Sequence, residues 1–293
     1  MSIRFKNGIA VIGSTTIDKN IHGLKSRLKI GGVTTYSGIT YRRHGIKTRI
    51  VSNVAKQDLQ ILAKLNQEKL IIHNGTTSDT TQFKNTFNGD ERRQQMPLKA
   101  SSIKAGQIIK VLEHISSVHL GPLHPLDIDL GCISVLEKTN LPVFLDVQGY
   151  TRRLENTEVY SGVSNQLPKA LKAARIVKAN NPEIESILNL LNTDLNDLLL
   201  TYEIDEFVVT QGRQGGYVKD NTGREFRYNA DSVQQVDDPT GAGDVFFAAY
   251  NIGRFLKKLN ISDACAYAAN LAALQVSGNY ISQDCLSFSF VDQ

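Results

Sequence analysis

The 293-residue sequence is poor in cysteine, in clustered basic residues and in long apolar runs, and each shortage removes a class of protein. Its three cysteines, Cys132, Cys265 and Cys285, are odd in number and widely spaced. With no Cys-x-x-Cys pair and no Cys/His cluster, they describe neither a disulfide framework nor a zinc site. The six histidines are scattered. His119 and His124 flank Gly121-Pro122, but two imidazoles without a third ligand are weak grounds for a metal. The longest apolar stretch, around residues 245–250, falls far short of the roughly 18 residues that suggest a membrane span. The apolar run at 9–12 is too short for the ~7–15-residue core of a signal peptide. A soluble, cytoplasmic protein without a membrane partner is expected.

Lys and Arg exceed Asp and Glu by 33 − 29 = 4, spread along the chain. The one basic cluster, Arg92-Arg93, sits beside Asp90 and Glu91. A nucleic-acid binder would show a basic stripe, so no nucleic-acid partner is expected. The mild positive balance suits an anionic small molecule such as a nucleotide.

Short β-rich runs alternate with helical spacing, and this is the signature of βαβ units and a mostly parallel sheet covered on both faces. Strands are predicted at 9–12, 48–54, 69–73, 118–120, 142–147, 174–178 and 207–210. Two segments, about 14–30 and 78–100, break the alternation. The second carries Asn88-Gly89 between alternating runs, a hairpin signal because both turn positions favour positive φ. Both segments are expected to form a small sheet projecting from a single 1–293 unit. From Gly241 onward a 3.6-residue apolar period predicts a helix of about five turns, and a second helix follows at about 262–277.

The sharpest local signal is Asp237-Asp238-Pro239-Thr240-Gly241-Ala242-Gly243-Asp244, just before that amphipathic helix. Pro239 and the glycines stop the helix starting earlier. Gly241 and Gly243 remove side-chain bulk, so a ligand can approach the backbone N–H groups. The first turn of a helix offers free donors and a partial positive charge, which suits phosphate. Asp244 puts a carboxylate at the edge of that site. Phosphoryl transfer needs donors for the moving charge and a base for the attacking hydroxyl. On spacing alone, a glycine-rich loop followed by an ordinary first-turn aspartate fits equally well.

Residues 238–244 resemble the Asp-Thr-x-Gly-Ala-Gly-Asp signature of the ribokinase-like carbohydrate kinases, the phosphofructokinase B type. Other matches follow in order along nearly the whole chain. Gly31-Gly32 resembles the family's di-glycine hinge and Asp18 its early substrate-binding aspartate. Asn180-Asn181-Pro182-Glu183 resembles its Asn-x-x-Glu motif, linked to magnesium and phosphate. Thr210-Gln211-Gly212-Arg213-Gln214-Gly215 resembles its nucleotide loop, which implies ATP binding by Thr210, Gly212 and Gly215. Asn270 falls where the family lines its adenine pocket.

The resemblance implies a three-layer α/β/α fold with a small β lid, and an ATP- and Mg²⁺-dependent kinase acting on a sugar or polyol. Asp244 is then the base, and Gly241, Ala242 and Gly243 form the anion hole. Asn180 and Glu183 would hold Mg²⁺ through water, as suits an ion that dehydrates reluctantly. The sequence has no Gly-x-x-x-x-Gly-Lys-Ser/Thr motif, so it is not a P-loop enzyme.

Tyr36 stands where many sugar kinases carry a sugar-binding asparagine, which argues against simple ribokinase or fructokinase activity. Asp146-Val147-Gln148-Gly149-Tyr150-Thr151-Arg152 resembles a segment of inositol-kinase-like members, as does His119-Leu120-Gly121-Pro122-Leu123. An amide and a guanidinium at a strand end suit the hydroxyls of a polyol or a phosphate. Gln148 and Arg152 therefore join Asp18, Gly31, Gly32 and Tyr36 as candidate substrate-binding residues, and a cyclitol such as myo-inositol is the favoured acceptor. The alternatives are a nucleoside kinase of the same fold and a sugar- or nucleotide-binding protein without turnover. A nicotinamide-dependent oxidoreductase fits poorly, because the first strand leads into Gly13-Ser14-Thr15 and not Gly-x-Gly-x-x-Gly. Lids in this family pair or stay apart, so a homodimer through the lid is left open.

Overall fold

The computed structural model describes residues 7–88, 91–233, 235–236 and 238–288. A nine-stranded sheet forms the body. Its strands are β1 (Ile9–Gly13), β4 (Thr48–Ser52), β5 (Ile71–Asn74), β8 (Ser117–Gly121), β9 (Val143–Asp146), β12 (Ile176–Asn180), β13 (Glu206–Thr210), β14 (Gly216–Asp220) and β15 (Glu225–Tyr228). A six-stranded sheet is built from β2 (Thr16–His22), β3 (Lys25–Gly31), β6 (Gln82–Asn88), β7 (Glu91–Leu98), β10 (Arg152–Glu155) and β11 (Glu158–Ser161).

The large sheet runs in the order β15-β14-β13-β12-β9-β8-β1-β4-β5. From β5 to β13 every pairing is parallel, and β14 and β15 add an antiparallel edge. Successive side chains of a strand point to opposite faces. Ile9 and Val11 therefore enter one core while Ala10 and Ile12 enter the other. The first core is closed by α1 (Val33–Arg43), α2 (Leu59–Gln67), α8 (Ala242–Phe255) and α9 (Ile261–Val276). The second is closed by α3 (Ala105–Leu112), α4 (Leu130–Leu136), α5 (Leu167–Ala173), α6 (Asn181–Leu191) and α7 (Leu195–Thr201). A short α10 (Gln283–Leu286) follows. The result is the expected three-layer α/β/α fold.

Some local expectations shift. The helix after Gly241 has 14 residues, about four turns and not five, and the chain beyond it turns away at Lys258, which is left-handed at φ 61°. The strand expected at 69–73 starts at Ile71, since Lys69 adopts a left-handed conformation at φ 61° that ends the preceding turn. The hairpins β10–β11 and β14–β15 have no counterpart in the predicted strands. Their alternation is short and largely polar, so it carries little hydrophobic signal. β6 and β7 pair antiparallel, but Gly89 of the predicted turn lies outside the described residues, as does Asp237.

The small sheet has the order β10-β11-β7-β6-β2-β3. It meets the body through Phe83 and Met96, which pack with Leu123 just past β8. The chain leaves β1 toward β4 on one side and later returns to β8 on the other. The carboxyl ends of β1 and β8 thus flank a topological switch point, where α/β sheets place their crevice. Gly13 and Gly121 pair there, and a β-carbon on Gly13 would stand 2.4 Å from the Gly121 carbonyl oxygen. No described helix is long and apolar enough to cross a membrane.

Candidate active site

Helix α8 begins at Gly241, which has φ 80° and provides no side-chain cap. By contrast α4, α6, α7 and α9 are capped by Asp129, Asn180, Asp194 and Asn260. In the α8 turn, Ala242 N–H donates to the Pro239 carbonyl at 3.2 Å. Among the described residues the Gly243 and Asp244 N–H groups have no protein acceptor, so the turn presents free donors at the positive end of a four-turn helix. Gly241 is held to glycine twice over. Its φ is positive, and a β-carbon would meet the Tyr36 ring at 2.3 Å.

Asp244 occupies the third position of α8. It keeps some solvent access. Burial raises its carboxyl to about 7, with the Asp146 charge adding to the rise, while Lys178 and Arg152 oppose it. A carboxyl poised there suits a general base at neutral pH.

Beneath this turn lies a buried ion pair. Lys178 of β12 donates to Asp146 Oδ2 of β9 at 2.9 Å, and both side chains are about 5% exposed. The two residues are register partners on adjacent parallel strands. Burial would lower the Lys178 ammonium, but Asp146, Glu183 and Asp244 outweigh it and hold the charge on. Asn180 and Glu183 form a reciprocal cap on α6: Glu183 Oε2 accepts from Asn180 N–H at 2.8 Å, and Asn180 Oδ1 accepts from Glu183 N–H at 2.9 Å. Burial raises the Glu183 carboxyl, with Lys178 opposing.

Among the described residues no three His, Cys, Asp or Glu side chains are grouped to hold a metal. The cap uses one Glu183 oxygen and the Asn180 amide oxygen. The donor set therefore fits a hydrated Mg²⁺ on the remaining Glu183 oxygen and not an all-protein cage.

On the other side stands the small sheet. Its inner face presents Asp18, Asn20, Phe83 and Asn85, all buried. Thr16 Oγ1 donates to Asp18 Oδ1 at 2.7 Å, and Asn85 Nδ2 donates to Asn20 Oδ1 at 2.8 Å. A β-carbon on Gly31 would stand 2.2 Å from Asp18 Oδ2, and one on Gly32, at φ 86°, would stand 2.1 Å from the Ser14 carbonyl oxygen. Both glycines are thus required by close approach.

Tyr36, in the first turns of α1, is 1% exposed and its hydroxyl has no hydrogen-bond partner among the described residues. Burial and the charges of Asp18, Asp238 and Asp244 hold its phenol well above the ordinary range. Its ring packs behind the α8 turn. Arg152 donates to the Leu123 carbonyl at 3.0 Å and lies over the Phe83 ring at 5.5 Å. Gln148 opens a tight helical turn that follows β9, its N–H bonded to Asp146 Oδ1 at 3.0 Å.

The candidate donor residues lie farther out. Thr210 pairs with Asn180 across β12 and β13. Gly212 is exposed at φ 58°, and Gly215 turns at φ 85° with the Tyr228 carbonyl against it. Asn270 is exposed on α9, and its amide donates to Asp231 Oδ2 at 3.1 Å.

The ends of the strands and the α8 turn therefore gather Asp18, Gly31, Gly32, Tyr36, Gln148, Arg152, Asn180, Glu183 and residues 241–244, while Gly212 and Asn270 are exposed on the turn after β13 and on α9. Sequence reasoning missed Lys178, Asp146 and Lys29 as members of this cluster. A signal existed. Each lysine interrupts an apolar strand run, Val177-Lys178-Ala179 and Leu28-Lys29-Ile30, and a lysine so placed is buried only when paired. His119 and His124 are buried and share no metal-ligating group. His119 bonds the Tyr41 hydroxyl through Nδ1 at 3.1 Å. Two open concavities lie elsewhere, one near Glu206 and Arg254 and one on the small sheet near Arg93 and Tyr160. Neither touches this cluster.

Residues 145–285 match the model of the pfkB family carbohydrate kinases. Among solved structures, a pyrophosphate-dependent kinase in the ribokinase family, complexed with a pyrophosphate analogue and myo-inositol, is 23% identical. Its TM-score is 0.79, over 92% of this chain and 94% of that one. Ribokinase from Thermotoga maritima is 17% identical with a TM-score of 0.74, over 95% of each chain. The nucleoside kinase of Methanocaldococcus jannaschii is 18% identical with a TM-score of 0.70, over 94% of this chain and 95% of that one. At these identities the likeness concerns the fold. A comparison with curated protein sequences finds no match.

Proposed function

We propose, from the premise that this chain carries a pfkB family carbohydrate kinase domain, that it transfers the γ-phosphate of ATP to a hydroxyl of a sugar or polyol, with a cyclitol such as myo-inositol as the favoured acceptor. The observation that carries this reading is Asp244 beside unpaired N–H groups at the start of α8, its carboxyl raised to about 7.

The acceptor binds between the body and the small sheet, which serves as a lid on a single kinase unit. Asp18 orients a hydroxyl from the lid side, and Gln148 and Arg152 meet the others from the ends of β9 and β10. Asp244 takes the proton of the attacking hydroxyl. The N–H groups of Gly243 and Asp244 receive charge on the moving phosphoryl group, and the Lys178 ammonium beneath them adds to that field. Glu183 would hold a hydrated Mg²⁺, which when bound neutralises the donor phosphates. Thr210, Gly212 and Gly215 line the donor path. The lid excludes water that would otherwise take the phosphoryl group. Polar side chains on the lid's inner face, Asp18, Asn20 and Asn85, favour a polyhydroxylated acceptor over a flat nucleobase. Three free cysteines, two of them buried, are compatible with a reducing, cytoplasmic setting.

A second reading of the donor has its own support. The Asn270–Asp231 hydrogen bond spans the place where the resemblance puts adenine, and one similar structure is of a kinase that uses pyrophosphate. Pyrophosphate is therefore the alternative donor. The test is phosphoryl transfer from ATP and from pyrophosphate, with Mg²⁺, to myo-inositol, pentoses, ketoses and nucleosides. Turnover lost in Asp244→Asn supports the kinase reading and names donor and acceptor. Donor binding with no transfer to any acceptor would favour a binding protein.

A further inference from the structure

One buried cation joins the two sheets' contributions to this site. Lys29 lies on β3, with its side chain 5% exposed. It is the direct register partner of Asp18 across the β2–β3 ladder, so the two side chains share the sheet face that looks toward the body. Its ammonium forms an ion pair with Asp238 of the loop that leads into α8. Asp238 uses its other oxygen, Oδ1, to accept from Thr240 N–H at 2.8 Å. The carboxylate is thus a bracket around the residue just before the free-donor turn. Burial alone would raise the Asp238 carboxyl, but Lys29 and Thr240 hold it below the ordinary range. Lys29 also lies over the Tyr36 ring, 6.0 Å from its centroid, and that ring supports Gly241 from below. The backbone of Lys29 is bridged to Ser287 on its outer side, which fixes the strand from which the ammonium reaches.

We propose that Lys29 is a positioning residue that couples the acceptor side of the site to the anion side. This inference rests on the kinase reading. The ammonium holds the lid hairpin through its own strand and the α8 turn through Asp238. A group that fixes two elements by one contact makes the ordering of either favour the ordering of the other. An anion that orders the 241–244 turn also fixes Asp238, and through Lys29 it fixes residues 16–31. An acceptor that seats against Asp18 acts in the reverse direction, and by linkage the two effects are equal.

The experiment is hydrogen exchange of the amides in residues 16–31, with and without a saturating donor. The probe is Mg²⁺-pyrophosphate or Mg²⁺-ATP, whichever calorimetry shows the protein to bind. In the unaltered protein, exchange in 16–31 is expected to slow about tenfold on donor binding, within the usual range of site-to-site coupling. Lys29→Met should bind the donor and lose that slowing, and Lys29→Arg should retain it. Lys29→Met/Asp238→Asn removes both charges of the pair, and it too should show no slowing. Equal slowing in Lys29→Met or in the double variant would overturn the coupling, as would no response in the unaltered protein despite binding. A protein that binds neither donor loses the kinase reading itself, and this inference with it.

Discussion

Lys178 and Asp146 stand as register partners on adjacent strands, their charges 2.9 Å apart, and the Lys178 ammonium comes within 3.3 Å of where a β-carbon on Gly243 would lie. The ion pair is thus the floor of the donor turn. Removing one partner of a buried pair costs about 3–5 kcal/mol, because the other charge is stranded. Lys178→Met is therefore expected to lower the melting temperature markedly. Lys178→Met/Asp146→Leu should recover part of it, since neither charge of the pair is then stranded, although the Gln148 N–H loses the Asp146 Oδ1 acceptor. Activity should not return in the double variant. Thermal denaturation and turnover, measured on the same samples, check both statements.

Asp244→Asn keeps shape and removes the carboxylate proposed as the base. General-base catalysis is worth about 10²–10⁴-fold, so kcat should fall by at least about 10² while KM for the donor stays within a few fold. A variant that keeps more than a tenth of the activity would remove Asp244 from the proton-transfer step.

The raised carboxyl of Asp244 also fixes two pH dependences. A base must be ionised, so kcat/KM should rise with pH and level off above about 7, the value its environment sets. Stability runs the other way. A carboxyl whose folded pKa lies above its unfolded value favours the folded state at low pH, and that contribution is lost as pH rises through about 7. Asp244→Asn should therefore melt higher than the unaltered protein at pH 8, with the difference vanishing near pH 4. Melting curves at the two pH values decide this.

Gly31 has its open side filled by Asp18. Gly31→Ala forces a methyl to within 2.2 Å of the Asp18 carboxylate and 2.7 Å of Thr16 Oγ1. The expected outcome is a rise of about tenfold or more in KM for the acceptor, since the displaced group is the one proposed to bind it. Gly45→Ala is the control. Gly45 also has positive φ, at 78°, but nothing lies within 4 Å of its β-position, so that variant should lose stability and keep KM.

Glu183→Gln separates the cap from the charge. A glutamine carbonyl still accepts from Asn180 N–H, so the capping box survives and the melting temperature should move by less than about 1 kcal/mol equivalent. The Mg²⁺ concentration for half-maximal rate should rise about tenfold or more. A magnesium titration of the rate reads the second effect, and an unchanged requirement would place the metal elsewhere.

The parallel core was legible because fully buried strands read as short apolar runs between turn signals, as at 9–12 and 207–210, with 118–120 interrupted only by His119. Helix α8 was legible from a sustained 3.6-residue period, and α9 from the alanine-rich run that follows it. The hairpins β10–β11 and β14–β15 were not. Exposed Arg153 and Glu155 alternate with half-buried Arg152 and Leu154, and such strands are held by a partner sheet and not by their own apolar content. In the site, the glycine positions and Asp244 could be read because a helix start and a close approach leave marks in local sequence.

Lys29, Asp146 and Lys178 come from positions 29, 146 and 178, and nothing local ties them together. Local sequence determined where the α8 turn begins, that it carries free N–H donors and that a carboxylate stands in its first turn, because helix geometry fixes those over a few residues. Only the tertiary structure decided that Asp244 is raised to about 7, that the Tyr36 ring lies behind the turn, and that a lysine from the small sheet reaches Asp238. Burial and charge pairing depend on which distant strands fold against one another, and a residue's neighbours in the chain do not specify them.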